Sequence, residues 1–272
     1  MANLSERAVC RLLRVPRSSM RPKTEKAVSP AAVDELLAER IRRVIEQYPT
    51  YGYRFVWAML RSEGMCVNRK AVYRVLKLKG WFVHQRQTTP RPRVQASVSR
   101  TEKSNSRWAM DVTHIPCGED GWGHLAAVID CHDRELIGFE FALRARAKEA
   151  ERALEEACIA RFGTLRPGGA TPVIRSDNGL IFQSRRFRAA CRDYQLSQEY
   201  ITPYTPEQNG MIERFFRTLK EECTWQHNFT SYREAKAAVT RWIDWYNKQR
   251  PHSALGYRSP RQYRQQELSR VA

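Results

Sequence analysis

The stretch Trp108-Ala-Met-Asp-Val-Thr-His-Ile115 marks the point where this sequence changes from helical to extended. Its residues alternate, with Trp108, Met110 and Val112 on one side, and this period of two predicts a strand. Aspartate is depleted in strands, so Asp111 is poorly explained as an ordinary solvated residue. The stretch therefore predicts a sheet that begins near residue 108 and carries a candidate functional carboxylate.

Downstream of this strand, extended and helical segments alternate. GHLAAVIDC and ELIGFEFAL predict two more strands, and Ala147 to Phe162 is an amphipathic pattern that predicts a helix. A short strand at 171–176, a helix at 185–194 and the strand LSQEYI follow. Three antiparallel strands, a crossover helix and further strand–helix units predict an α/β fold, a mixed sheet with helices on its faces.

The segment YTPEQNGMIERFFRTLKEE (204–222) predicts a helix that carries Glu213 beside its buried stripe. Thr205 and Gln208 fit a capping box, with Pro206 in the first helical position. A final helix is predicted from 232 to 246. The tail NKQRPHSALGYRSPRQY is predicted to be ordered but irregular.

Positive charge is concentrated in the first third of the chain. The net charge is +18, and residues 1–108 contain 23 Lys/Arg against 8 Asp/Glu, while residues 109–272 contain 24 against 21. A basic module beside a nearly neutral remainder is typical of polyanion binding. Charge alone does not separate DNA from RNA, and a merely basic surface is the alternative.

Within this basic third, YGYRFVWAMLRSEG and NRKAVYRVLKLKGW predict two short helices joined at residues 64–67. Their arrangement resembles a helix-turn-helix, whose second helix lies in a major groove; a helical bundle with a solvated basic face is the alternative. The candidate DNA contacts are Arg69, Lys70, Arg74 and Lys77. We therefore divide the chain into a helical region (1–83), a basic linker (84–107), an α/β core (108–225), and a C-terminal helix and tail (226–272).

Three acids stand at the ends or in the interior of predicted elements: Asp111, Asp177 and Glu213. Carboxylates that converge need a cation, and hard oxygen ligands select Mg²⁺ or Mn²⁺. Each acid has an alternative. Asp177, in IRSDNGLIF, also fits a tight hairpin turn, Glu213 fits a solvated helix surface, and Asp130 and Asp133 compete for the first position.

Other site types and locations have weaker signals. The chain has seven cysteines without a CxxC pair, and one group suggests zinc, although its members lack finger-like spacing. This group consists of His114, Cys117, His124, Cys131 and His132.

No apolar run approaches the roughly 18 residues that span a bilayer, and the charged start lacks a signal-peptide pattern. A cytoplasmic protein without a membrane partner is expected.

The intervals between the acids, 65 residues from Asp111 to Asp177 and 35 from Asp177 to Glu213, accompany several motifs. These are WAMDVTHI, IRSDNGLIF, PEQNGMIERFFRTLKEE, YNKQRPHSALGYRSP and the helical segment YPTYGYRFVWAMLRSEGMCVNRKAVYRVLKLKGW. Together they closely resemble the OrfB-type transposases of bacterial insertion sequences, whose catalytic core is similar to that of retroviral integrases. The resemblance covers almost the whole chain.

The resemblance implies a ribonuclease H-like core with a DDE triad at Asp111, Asp177 and Glu213, which would hold two Mg²⁺ or Mn²⁺ ions. It implies DNA cleavage at transposon ends and strand transfer, with Lys220 as a DNA contact. Arg217 and Asn209, on the same side of the helix, are further candidate DNA contacts.

The expected partners are transposon-end and target DNA, an upstream-frame product or fusion that supplies end recognition, and further copies of the chain in the DNA complex. Two rival functions stay alternatives at this point. One is a nuclease of the same fold that hydrolyses without joining. The other is a DNA-binding protein or silent remnant without catalysis.

Overall fold

The computed structural model describes residues 5–16, 33–83, 101–203 and 205–271. Residues 84–100, most of the expected linker, lie outside these ranges. The helices are α1 (Glu6–Leu12), α2 (Glu35–Gln47), α3 (Tyr53–Ser62), α4 (Arg69–Lys79), α5 (Ala147–Phe162), α6 (Leu180–Gln183), α7 (Arg185–Asp193), α8 (Gly210–Glu222), α9 (Tyr232–Lys248) and α10 (Pro260–Val271). The strands are β1 (Arg107–Pro116), β2 (Trp122–Asp130), β3 (Leu136–Ala142), β4 (Val173–Ser176) and β5 (Ser197–Tyr200).

The five strands form one mixed sheet in the order β3-β2-β1-β4-β5. β1, β2 and β3 pair antiparallel, whereas β4 and β5 join parallel beside β1. Parallel neighbours need a crossover, and here α5 and α7 supply the helices of the two crossovers. The predicted mixed sheet flanked by helices, preceded by a helical helix-turn-helix-like region, is confirmed.

Helices cover both faces of the sheet. One buried cluster joins Ala109 and Ile115 of β1 to the apolar stripes of α8 and α9. The other joins Trp108 and Met110 to α5 and α7. Because side chains alternate along a strand, Asp111 belongs to the same face as Ala109 and Ile115, which α8 covers.

The start of the helix with Glu213 differs from the prediction. Residues Pro206–Asn209 form a 3₁₀ turn, and α8 begins only at Gly210. The expected capping box does not form, because the Gln208 side chain accepts from Thr202 N at 2.8 Å and donates to Thr202 Oγ1 at 3.1 Å. The side chain of Gln208 closes the preceding loop instead of capping the helix.

The tail prediction was wrong from residue 260 onwards, where α10 forms. Ser259 and Gln262 make the reciprocal pair that begins it: Gln262 N donates to Ser259 Oγ at 3.3 Å, and Ser259 N donates to Gln262 Oε1 at 3.0 Å. The sequence Ser259-Pro260-Arg-Gln262 carried this capping-box signal, with proline in the first position.

The helical region formed by α2, α3 and α4 has its own apolar core, built around Ile41, Val56, Leu60 and Val72. It rests on α9 of the core, where Trp245 stacks on Tyr48 with ring centroids 5.2 Å apart. In the part of the chain that the structure describes, no helix has the length and apolar character needed to cross a membrane.

Candidate active site

Asp111 lies in the interior of β1, half-buried beneath α8. Its Oδ1 accepts a hydrogen bond from Val112 N at 2.7 Å. The pKa of Asp111 is raised to about 7, chiefly by burial and also by the negative charges of Asp177 and Glu213, while the hydrogen bond from Val112 N and the charge of Lys220 act in the opposite direction. The charges of Asp177, Glu213 and Lys220 therefore all act on Asp111, although these residues come from separate elements.

Asp177 follows the last residue of β4. The parallel register ends with Ala109 paired to Arg175, two residues before Asp111 and Asp177 respectively, and the charge of Asp177 acts on Asp111. Oδ1 of Asp177 accepts from Gly179 N at 2.9 Å, and the chain turns here into α6. The hairpin alternative is wrong, because β4 is followed by helices and a parallel strand. Asp177 shapes a turn and also lies beside Asp111.

Glu213 lies in the first turn of α8, on the exposed side of its buried stripe. Partial burial of the carboxylate and the nearby charge of Glu207 raise the pKa of Glu213. The stripe itself, Ile212, Phe215, Phe216 and Leu219, holds the helix on the sheet face that carries Asp111. Packing of α8 thus holds Glu213 where its charge acts on Asp111.

Asp130 and Asp133, the competitors for the first position, have structural partners instead. Both are fully buried. Asp130 accepts from the backbone amides of Asn105 and His132 at 2.7 and 2.8 Å. Asp133 forms an ion pair with the buried Arg161 at 2.9 Å. These contacts occupy both carboxylates within the turn between β2 and β3.

In residues 5–16, 33–83, 101–203 and 205–271, no group of three or more His, Cys, Asp or Glu is arranged to hold a metal ion. Members of the candidate zinc group have other contacts: a ring nitrogen of His132 lies 2.9 Å from Thr101 O, and Cys117 Sγ donates to Ile115 O at 3.5 Å. Among the same described residues, Asp111, Asp177 and Glu213 do not form an assembled metal site either, although their hard carboxylate oxygens are the donors that Mg²⁺ and Mn²⁺ prefer.

The remaining candidate DNA contacts lie in different settings. Four basic residues of α4 are exposed: Arg69, Lys70, Arg74 and Lys77. Arg217 is exposed and pairs with Glu221 at 2.8 Å, and Lys220 is half-buried near Asp111. Asn209 is only 2% exposed, so its side chain is not on the surface that DNA would meet.

Comparison with known proteins assigns the chain to a family. Residues 32–88 match an HTH-like domain, and residues 101–206 and 194–260 each match an integrase core domain. Transposase InsD for insertion element IS2A/D/F/H/I/K of Escherichia coli is 31% identical over 235 residues, 84% of this chain and 77% of that protein. The chain belongs to the integrase-core transposases of insertion elements.

Further similar proteins include another insertion-element transposase and two solved structures of viral origin. Transposase InsD for insertion element IS2-9 of Escherichia coli strain K12 is 31% identical over 84% of this chain and 76% of its own. Among solved structures, the catalytic core domain of HTLV-2 integrase in complex with magnesium is 18% identical with a TM-score of 0.47, and covers 60% of this chain and 99% of that one. A simian T-cell lymphotropic virus intasome chain is 16% identical with a TM-score of 0.48, and covers 82% and 73%.

In this integrase-core transposase, a buried arginine that the sequence reasoning missed connects the elements of the site. Arg175 of β4 is 3% exposed and forms a two-pronged pair with Glu199 of β5, at 3.1 and 3.0 Å. Its Nη1 also donates to Gln208 O at 2.9 Å, in the turn before α8. A charged residue in the short apolar strand VIRS was the only signal in the sequence.

Asn209 makes the second connection. Its Nδ2 donates to Met110 O at 3.4 Å, one residue before Asp111, and its buried Oδ1 has no partner among the described residues. Residues 208 and 209 therefore contact both carboxylate-bearing strands, and they lead directly into the helix with Glu213. We call this pair of residues, together with Arg175, the carboxylate joint of the transposase.

Proposed function

We propose that the chain is the catalytic subunit of a DNA transposase, which cleaves DNA at transposon ends and transfers the cut strand. The observation that carries the proposal is that Asp177 and Glu213 both act on the charge of Asp111, within the residues that match integrase core domains. A relative that is 31% identical over 84% of this chain is a transposase of an insertion element. The observation favours a DDE mechanism with Asp111, Asp177 and Glu213 in the catalytic roles.

We assign Asp111, Asp177 and Glu213 as the ligands of two Mg²⁺ or Mn²⁺ ions. The support is the donor chemistry, since three carboxylates offer hard oxygens and a negative charge that Lys220 offsets only in part. When bound, such ions polarise the scissile phosphodiester and activate the attacking oxygen. The side chains of this chain hold the site in place and exclude softer metals by their oxygen ligands.

The reaction has two steps on the DNA. Water attacks the phosphodiester at a transposon end, the bond from phosphorus to O3′ breaks, and a 3′-hydroxyl is released. That hydroxyl then attacks a phosphodiester of target or opposite-end DNA, so that one ester bond forms as another breaks. No covalent protein intermediate is required, because positioning of the reacting groups supplies much of the acceleration.

The proposed DNA contacts follow from exposure and charge. The basic face of α4 would contact one duplex through Arg69, Lys70, Arg74 and Lys77. Lys220 and Arg217 of α8 would contact the DNA that enters the catalytic site. Such phosphate contacts make binding steeply dependent on salt. Asn209 is buried, and we assign it to the carboxylate joint rather than to the DNA surface.

The wider assembly is part of the same proposal. Two transposon ends must be brought together, so a homo-multimer is expected in the DNA complex, and an upstream-frame partner or fusion is expected to supply end recognition. The division into 1–83, 84–107, 108–225 and 226–272 is the corresponding assignment of domains. Since the substrate would be bacterial DNA, we place the activity in the cytoplasm, on the nucleoid.

The proposal is tested with Asp177→Asn in a cleavage and joining assay, with Mg²⁺ and an oligonucleotide carrying the inverted repeat that flanks the coding region. Asparagine keeps an Oδ1 that accepts from Gly179 N, so the fold and DNA binding should persist while both steps are lost. Asp193→Asn, an exposed aspartate of α7, is the matched control. Unchanged activity of Asp177→Asn contradicts the catalytic assignment.

The same assay separates the two rival functions. Cleavage without a joined product favours a nuclease of the same fold. No reaction, even after the upstream-frame product is supplied, favours a protein that only binds DNA. Circular dichroism and thermal unfolding of each variant confirm that a lost activity is not a lost fold.

A further inference from the structure

A basic cleft lies beside the Asp177 turn, on the side away from α8. It has a volume of about 480 Å³ and is lined by Gln183, Arg188, Cys191, Arg192, Leu196, Gln198 and Tyr200. No carboxylate is among its lining residues. We call it the α7–β5 cleft, because α7 and the edge strand β5 form its two walls.

The two arginines of this cleft are available for a ligand. Arg188 and Arg192 are four residues apart on α7, so they lie on the same face of the helix. Both are exposed, and neither forms an ion pair with any carboxylate of the described residues. The neighbouring Arg186, by contrast, is paired with Glu151. Two unpaired guanidinium groups side by side select a phosphate, which they bind through forked donors.

The opposite wall of the cleft is fixed in position. Gln198 Nε2 and Tyr200 Oη both donate to the carbonyl oxygen of Phe182, at 2.8 and 3.1 Å. The floor is apolar and buried, with Cys191 2% and Leu196 5% exposed. These contacts keep the cleft open between α6 and β5, so a ligand would not have to displace an existing ion pair to enter it.

The position of the cleft relates it to the catalytic carboxylates. Tyr200 pairs with Ser176 in the parallel register of β4 and β5, and Asp177 is the next residue after Ser176. Gln183 Nε2 donates to Asn178 O at 2.8 Å, which ties the cleft to the same turn. The cleft is therefore joined, through Gln183 and Tyr200, to the segment that carries Asp177.

The cleft attracts a polyanion, whereas the three carboxylates repel one. Three carboxylates repel a polyanion, and repulsion between like charges acts over about 8–10 Å at physiological salt. Two unpaired guanidinium groups in the cleft attract the polyanion without contributing metal ligands. They attract the backbone rather than any particular base, because phosphate contacts position DNA without reading its sequence.

We propose that the α7–β5 cleft is a DNA-backbone subsite, in which Arg188 and Arg192 bind a phosphodiester next to the scissile one. The proposal deepens the proposed function, on which it rests. The ligand chemistry is a DNA phosphodiester, whose two sources are the transposon end and the target.

The test measures DNA affinity in the absence of divalent metal, so that it does not depend on catalysis. Fluorescence anisotropy with two labelled duplexes, one carrying the terminal inverted repeat and one unrelated in sequence, is followed from low to high salt. The double variant Arg188→Ala/Arg192→Ala should reduce the slope of log K against log salt by about 1.8, or 0.9 for each lost phosphate contact. Loss on only one duplex identifies the source of the bound strand.

Two companion variants make the result specific. Arg152→Ala/Arg233→Ala removes the same charge from exposed positions of α5 and α9 outside the cleft, and should change the slope by much less. Arg188→Lys/Arg192→Lys keeps the charge and should restore most of the slope. A wild-type slope for the cleft variant, or an equal loss in both alanine pairs, overturns the proposal. Either result leaves the Asp177→Asn test of the proposed function unaffected.

Discussion

Nη1 of Arg175 donates a hydrogen bond to the main-chain oxygen of Gln208 at 2.9 Å. This contact connects the strand that ends before Asp177 to the turn that begins the helix with Glu213. A main-chain contact fixes the path of the backbone, whatever the side chains at the turn do. The relative position of Asp177 and Glu213 therefore depends in part on a buried guanidinium.

The first prediction concerns this contact. Arg175→Lys keeps the positive charge, but a single ammonium group cannot make both hydrogen bonds to Glu199 and also donate to Gln208 O. The position of Glu213 should then be less well fixed. The rate of DNA cleavage should fall about 10- to 100-fold, because displacing a catalytic group by about 1 Å can lower the rate about a hundredfold. Single-turnover cleavage of a labelled transposon end, together with a Mn²⁺ titration of metal affinity, measures the effect.

Arg107→Lys is the matched control for Arg175→Lys. Arg107 also donates to Glu199, at 3.2 Å, but it does so from β1 rather than from the strand that leads to Asp177. Both variants should lose some stability to urea, whereas only Arg175→Lys should lose rate and metal affinity. Equal rate losses in the two variants would show that Arg175 acts only through the stability of the sheet.

The second prediction concerns the approach of α5 to the sheet. A Cβ at Gly138 of β3 would lie 2.6 Å from Ala157 N and would also clash with Ala153 O, both in the backbone of α5. Gly138→Ala should therefore lower the free energy of unfolding by about 1–3 kcal/mol, the usual cost of overpacking. Urea denaturation measures it. Gly169→Ala, where a Cβ meets nothing within 4 Å, should change stability little, and equal losses would contradict the packing argument.

The third prediction is a dependence of stability on pH. Burial lowers the pKa of His252 well below 6.5, and the positive charges of Arg250 and Arg134 lower it further. The unfolded chain therefore binds a proton at a pH where the folded chain does not. The neutral His252 contributes its full stabilisation above the unfolded pKa of about 6.5. As the pH falls below this value, the free energy of unfolding decreases by up to about 1.4 kcal/mol per pH unit.

Urea unfolding of the wild type and of His252→Gln between pH 7 and 5 tests this dependence. The ring of His252 packs edge-on against Tyr246 at 4.8 Å, and its Nε2 has no partner among the described residues. The variant should be less stable at pH 7 but should lose less stability on acidification. Parallel curves for the two proteins would rule out His252 as the group responsible.

The fourth prediction concerns the attachment of the helical region to the core. Trp245 stacks on Tyr48 and belongs to the apolar cluster of the helical region. Trp245→Ala should free this region and cost less than the roughly 3–5 kcal/mol of a fully buried tryptophan. Cys66 is the one exposed cysteine of the seven, so a fluorophore on it should show lower anisotropy in the variant. Trp225→Ala, 61% exposed, is the control, and equal anisotropy in both variants would contradict the attachment.

The sequence by itself determined the order of the elements and the three candidate carboxylates. Local rules suffice for the elements, because period-two and helical patterns reflect which face of each segment is buried. The choice among the acids depended on the resemblance of their motifs and spacing to those of the transposase family. The strand around Asp111 and the apolar stripe beside Glu213 were both predicted in this way. The Ser259–Gln262 capping signal at α10 was equally local and was overlooked.

Only the tertiary structure decided which polar residues support the site. Asn209 was predicted on the DNA surface and is buried against β1, and Gln208 was predicted as a cap and instead closes a loop. Arg175 and Glu199 stand 24 residues apart, and their pairing depends on β4 and β5 being neighbours. Local sequence patterns do not specify such contacts, because the partner of a buried charge is set by how distant strands pack together.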